Sequence, residues 1–137
     1  MFSSFFNWLF DNRFYYLSLI EDNGKWHIHG LWPQYDNYNY PSFCNRTIDF
    51  DIKKIETLLD KLNKEWYSDK GKNEEFWKHE WLKHGTCMFN TCNEYDYFKK
   101  ALDLFENSKK NNTIDKYRIP NTNKSMIPFT LDFCIRT

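Results

Sequence analysis

Residues Phe76 to Cys87 read FWKHEWLKHGTC and pack His79, Glu80, Lys83 and His84 into six consecutive positions. At about 100° per residue these four side chains fall within about 140° of arc on a helix, so all share one face, while Trp77 and Trp81 point the other way. The simplest reading is a short helix, buried on one side and carrying a chemical edge on the other. Gly85 follows at once, and glycine most readily takes the left-handed conformation that closes a helix, so Lys83 and His84 are expected in its last turn. Runs of charge are usually solvated surface, and this stretch alone does not separate that reading from a functional one.

A second stretch decides between them. Trp26 to Pro33 reads WHIHGLWP, and with His27 and His29 here all four histidines of the chain lie in two short segments. Together the segments resemble the two signature blocks of the ribonuclease T2 family of endoribonucleases, approximately IHGLWP and FWxHEWxKHGTC. Ile28 to Pro33 matches the first throughout, and Phe76 to Cys87 matches the second with Lys78 and Leu82 in its variable places. The resemblance is strong from Phe14 to Phe105. It implies an α+β fold, a central antiparallel β-sheet packed against several α-helices, pared down at both ends, because relatives carry a longer first connection and further strands after the last helix.

The resemblance also implies a chemistry, and the residue types suit it. RNA carries its own nucleophile, the 2′-hydroxyl, so cleavage needs a base for that proton, an acid for the leaving 5′-oxygen and cations around the phosphorane. Histidine titrates near neutrality and can serve as either. By resemblance His29 and His84 are the acid and base pair, His79 holds the phosphate, and Glu80 and Lys83 polarise it and stabilise the transition state. Products would be 2′,3′-cyclic phosphates, later opened to 3′-phosphates, and DNA would not be cut. The expected partner is single-stranded RNA, met by a monomer without membrane, metal or cofactor. Trp32 would stack on the base 5′ to the cut, and Phe76 would belong to the second base site. Gln34 stands where many relatives have an acidic or Asn residue that reads the base edge; its amide both donates and accepts.

Two rival readings are weighed. His79-Glu80 invites comparison with the zinc motif HExxH, but there the histidines sit four apart and converge on one ion, whereas His79 and His84 are five apart with Lys83 between them. The other rival is a catalytically weakened RNA-binding or inhibitory module of the same fold. The five catalytic positions all hold the expected residue types, which argues for the enzyme.

The rest of the chain supplies the scaffold. With 137 residues, 19 basic, 19 acidic and no net charge, it suits one domain with a sizeable core and does not suit a protein that coats nucleic acid non-specifically. The first ten residues, MFSSFFNWLF, lack a basic n-region and a small-residue cleavage site; they suit an N-terminal helix or packing arm, or the remainder after a signal is removed. Phe14 to Ile20 and Lys25 to Leu31 predict a hairpin about Asp22-Asn23-Gly24, with His29 near the end of the returning strand. Gln34 to Asn45 is a polar, aromatic loop in which Tyr35, Tyr38 and Tyr40 offer flat faces to a base or else cover the sheet edge. Amphipathic spacing predicts helices over roughly Asp51 to Tyr67 and Glu94 to Glu106, the second burying Tyr95, Phe98, Leu102 and Phe105. Lys109 to Asn112 is read as a loop, and a final strand is expected near Phe129 to Ile135.

Four cysteines admit three pairings. The family resemblance pairs Cys44 with Cys87 and leaves Cys92 with Cys134. The even count and the sequons at Asn45, Asn111 and Asn123 point to a secreted protein or one of another oxidising or endolysosomal compartment.

Overall fold

The computed structural model describes residues 12–88 and 91–130. Three strands, β1 (Phe14–Asp22), β2 (Lys25–Gln34) and β3 (Lys124–Thr130), form an antiparallel sheet in the order β2-β1-β3. The hairpin forms as the sequence suggests. Asn23 and Gly24 both have positive φ, 51° and 80°, the arrangement of a two-residue turn whose twist matches the strands. Tyr15, Leu17 and Leu19 alternate onto one face and are at most 1% exposed. Tyr16, Ser18 and Ile20 therefore take the opposite face, where the cavities described below lie.

The register slips once. Ser18 pairs with Gly30 and Leu19 with Ile28, which leaves His29 as an extra residue on β2. Without this bulge Ile28 and Leu31, three apart, would face opposite sides; with it both are fully buried in the core. The slip also turns His29 and Gly30, two successive residues, toward the other face. His29 thus lies in the middle of β2, because the strand continues through Trp32, Pro33 and Gln34 beyond its expected end. Pro33 is tolerated because β2 is an edge strand of the described sheet.

The helices are α1 (Leu59–Glu65), α2 (Asn73–Lys83) and α3 (Glu94–Lys110). The amphipathic segment expected as one helix is broken: Ile52–Leu58 is a 3₁₀ stretch with a non-helical Ile55 (φ −115°, ψ 18°), and only then does α1 begin. Its apolar positions still reach the core, with Ile55, Leu62 and Trp66 fully buried. In α3, capped by Asn93, whose side chain accepts from Asp96 N, the helix runs past Glu106 and takes the first two residues of the expected loop, ending at Lys110. Tyr97 and Ala101 join Phe98, Leu102 and Phe105 in the core, whereas Tyr95 is only partly buried.

Two further expectations are corrected. Gly85 does not close α2 in a left-handed conformation; among the described glycines only Gly24 has positive φ. His84 caps the helix and Gly85 starts a 3₁₀ turn, Gly85–Cys87. A glycine suits this position because a Cβ would run into the ring of Trp81. The last strand starts earlier than expected, at Lys124, and includes Pro128 on the edge strand β3, where a missing N–H is harmless. Residues 131–137, with Cys134, and the first eleven residues lie outside the described residues.

Cys44 and Cys87 are disulfide-bonded, and Cys92 is disulfide-bonded as well. No described helix is long and apolar enough to cross a membrane.

Candidate active site

One network of indole hydrogen bonds ties the two histidine segments together. A bulge leaves its extra residue outside the ladder, and the His29 carbonyl is taken up by the indole of Trp66, whose Nε1–H donates to it at 3.1 Å. The Trp66 carbonyl in turn accepts from Trp77 Nε1 at 2.6 Å. Trp77 belongs to α2, so the helix that carries His79, Glu80, Lys83 and His84 also anchors the backbone of His29. Tyr97 of α3 adds a bond from its hydroxyl to the Leu31 carbonyl at 2.7 Å.

The second tie is direct. Trp32 Nε1–H donates to Glu80 Oε1 at 2.8 Å. Gly30 makes room for it, since a Cβ there would collide with both Glu80 Oε1 and the Trp32 indole. The Trp32 ring then sits between the two histidines proposed for proton transfer. It stacks on His84 with centroids 5.2 Å apart and meets His29 edge-on at 5.0 Å.

Around these groups opens a cavity of about 460 Å³. His29, Trp32, Gln34, Tyr40, His79, Glu80, Lys83 and His84 all line it, with Tyr16, Asn37, Tyr38 and Met126. Of the expected site residues only Phe76 lies elsewhere. It lines a neighbouring cavity of about 370 Å³ with His27, Tyr67 and Lys124, and the two cavities share His29. Tyr35, Tyr38 and Tyr40 are 50%, 90% and 50% exposed, and Tyr38 and Tyr40 line the cavity while Tyr35 does not. Gln34 is buried and spends one donor on the Asp36 carbonyl at 3.0 Å.

Burial sets the proton affinities. Glu80, 3% exposed, has its pKa pushed up to about 7 by desolvation, against the opposing pull of the Trp32 hydrogen bond and the Lys83 charge. His84 is pushed down to about 3, first by burial and then by the positive charges of Lys83, His79 and His29. Burial also lowers His29, with Lys124 on β3 adding to the effect. Burial therefore favours the neutral form of both histidines of the pair and of Glu80. The His79 side chain is 55% exposed, with Nε2 4.0 Å from Glu80 Oε2. Among the described residues no group of three or more His, Cys, Asp or Glu side chains is placed to hold a metal ion.

Sequence reasoning missed several of these parts. Trp66 falls within the amphipathic stretch Asp51 to Tyr67, and nothing in the sequence shows the target of its indole N–H. Lys124 lies outside both signature segments. Gly30 carried a signal, since a glycine inside a strand often marks a bulge or a close approach.

Comparisons with known proteins bear on the family and the fold. A family model described as the Ribonuclease T2 family matches residues 11–130. Ribonuclease 1 of Arabidopsis thaliana is 44% identical over 80 residues, covering 56% of this chain and 35% of that protein. The chain thus spans about a third of the length of the curated relatives it matches first. Among solved structures, RNase NT in complex with 5′-AMP superposes with a TM-score of 0.65 at 30% identity, covering 78% of this chain and 62% of that one. Ribonuclease MC1 from bitter gourd seeds reaches a TM-score of 0.70 over 88% of this chain and 90% of its own, a likeness of fold at 24% identity. A match across nearly every described residue, joined to two histidine segments that meet on one cavity, means that this chain belongs to the ribonuclease T2 family.

Proposed function

We propose that the protein is an endoribonuclease that cleaves single-stranded RNA without a metal, by transphosphorylation through a 2′,3′-cyclic phosphate to 3′-phosphate products. The observation that carries the reading is the convergence of His29, His79, Glu80, Lys83 and His84 on one cavity from two elements far apart in sequence. RNase NT is described with 5′-AMP bound, which supports a nucleotide as occupant here. All five side chains come from one chain, so a monomer suffices. The disulfides at Cys44–Cys87 and at Cys92 support an oxidising compartment.

The protonation states suggest how the pair works. A neutral imidazole can accept the 2′-hydroxyl proton, and burial keeps both His29 and His84 neutral in the free protein. The bound phosphodiester brings a negative charge, which raises the proton affinity of whichever histidine faces the leaving 5′-oxygen and lets it serve as the acid. As the oxygen attacks phosphorus, charge builds on the non-bridging oxygens, where Lys83 and His79 offer donors. Glu80 with a pKa of about 7 presents a partly protonated carboxyl to that phosphate instead of a full repelling charge. Trp32 holds Glu80 and both histidine rings in place, and Tyr40, half exposed on the cavity wall, offers a flat face to a base.

Incubation with a ribodinucleotide in EDTA tests the reading. A cyclic phosphate followed by a 3′-phosphate is expected, with no cleavage of the deoxy analogue. Loss of activity on chelation with recovery on adding zinc or magnesium would refute the metal-independent route, and absence of any cleavage would refute the enzyme.

A further inference from the structure

One strained and exposed aromatic residue lies beside the cavity and takes no part in the chemistry above. Phe43 has φ 49°, a left-handed conformation that a bulky side chain rarely adopts. The surroundings hold it there from both sides. Its N–H donates to the Lys83 carbonyl at 2.9 Å, the next N–H, of Cys44, donates to Thr86 Oγ1 at 3.2 Å, and Cys44 is bonded to Cys87. Every one of these anchors sits at the end of α2. A strained backbone that its surroundings over-determine invites the question of what the side chain gains.

The side chain gains no burial: Phe43 is 39% exposed. Its ring stands edge-on to His79, the exposed member of the catalytic set, with centroids 6.4 Å apart. Arg46 places its guanidinium carbon 5.8 Å from the same ring. Among the described residues no carboxylate pairs with Arg46. The nearby Lys78 is already engaged by Asp49 at 3.8 Å. An exposed flat ring with an unpaired guanidinium over it is the combination that holds a base by stacking and its phosphate by charge. Phe43 lines neither cavity, so this surface adds to the two already described.

We propose that Phe43 and Arg46 form a binding site for one further nucleotide of single-stranded RNA, beside His79 and outside both cavities. The proposal rests on reading the main cavity as an RNA site. It makes the protein a better binder of longer strands than of dinucleotides, even though the chain has no net charge with which to attract RNA at large.

Binding of 2′-deoxy oligonucleotides, which lack the nucleophile and stay intact, tests the site without relying on catalysis. A tetranucleotide, with one extra residue at either end, should bind the wild-type protein about tenfold more tightly than a dinucleotide at fixed salt, the gain expected from one stacked base. Phe43→Gly keeps the left-handed backbone accessible and should erase most of that gain. Arg46→Gln should reduce the slope of log affinity against log salt for the tetranucleotide by about 0.7, the share of one phosphate on a single strand. A wild type with no length gain, or variants that keep both the gain and the slope, would overturn the proposal. Ordinary RNA in a parallel assay separates the two readings: a persistent length gain without cleavage refutes only the enzyme, and cleavage without a length gain refutes only the extra site.

Discussion

Replacing Glu80 with Gln should make the protein more stable at neutral pH and a poorer enzyme. Gln keeps an oxygen to accept the Trp32 indole N–H and fills the same volume, so the local packing survives. What it removes is a buried carboxylate whose pKa is raised from 4.5 to about 7. The sign follows from linkage. The folded state holds this proton more tightly than the unfolded state, so the group's contribution is fully present below pH 4.5 and is lost as pH rises through about 7. A shift of this size corresponds to about 3 kcal/mol as an upper bound, at about 1.4 kcal/mol per pH unit. His84 pulls the other way, its contribution being lost as pH falls from 6.5 toward about 3. Both proteins carry His84, so its effect cancels in the difference between them. Denaturant titrations of wild type and Glu80→Gln at several pH values should therefore give a stability difference that grows in favour of the variant from about pH 4.5 to above 7. Under the same conditions kcat/KM on a ribodinucleotide should fall about 10²-fold, the typical cost of losing one transition-state partner. A stability difference that is flat with pH would refute the buried-carboxylate argument, and unimpaired cleavage would refute the role of Glu80.

His29→Ala and His84→Ala should each lower kcat/KM by about 10²- to 10⁴-fold while thermal melts stay cooperative; a variant within a few-fold of wild type would remove that residue from the acid and base pair. Because burial lowers both histidines, the acidic limb of the kcat/KM profile, which reports the free enzyme, should fall below pH 6.5, and a limb above that value would contradict the depressed affinities. Cys44→Ser with Cys87→Ser opens a closure of 43 residues and should cost about 4 kcal/mol on the chain-entropy account. A loss under 1 kcal/mol in denaturant titration would show that the loop is held by its hydrogen bonds instead.

Much of this was open to inspection in the sequence, and the rest depended on partners far along the chain. Asn23-Gly24 announces its turn locally, and the alternation of Tyr15, Leu17 and Leu19 is a period that burial alone enforces. The face shared by His79, Glu80, Lys83 and His84 follows from helix geometry, and all four do line one cavity. The bulge at His29 was hidden because a register slip is a property of two strands, decided by where Ile28 and Leu31 find core. The break at Ile55 was hidden for a similar reason: 3.6-residue spacing keeps the same apolar positions inward through a 3₁₀ stretch as short as Ile52–Leu58. Gly85 was given the wrong reason, since both a left-handed cap and a close approach to Trp81 demand glycine, and only the neighbouring ring distinguishes them. The early start of β3 at Lys124, ahead of the expected Phe129, was hidden because the sequence does not say which strand lies at a sheet edge, where Pro128 is tolerated.

The bulge and the tryptophans belong to one argument about precision. On the proposed mechanism His29 and His84 exchange protons with one phosphodiester and need a fixed separation, and a strand and a helix from different parts of the chain do not provide one by themselves. Here the fixing is done twice. Through the backbone, Trp77 on α2 holds Trp66, and Trp66 holds the carbonyl of the bulged His29. Through the side chains, Glu80 on α2 holds the Trp32 indole, which in turn touches both imidazole rings. Each link is a single indole N–H to an oxygen, a bond with one donor and a rigid ring behind it, so little conformational freedom remains to be lost when substrate binds. Two of the core tryptophans, Trp66 and Trp77, therefore do more than fill volume, since together they fix the backbone of His29 from the helix that carries His79.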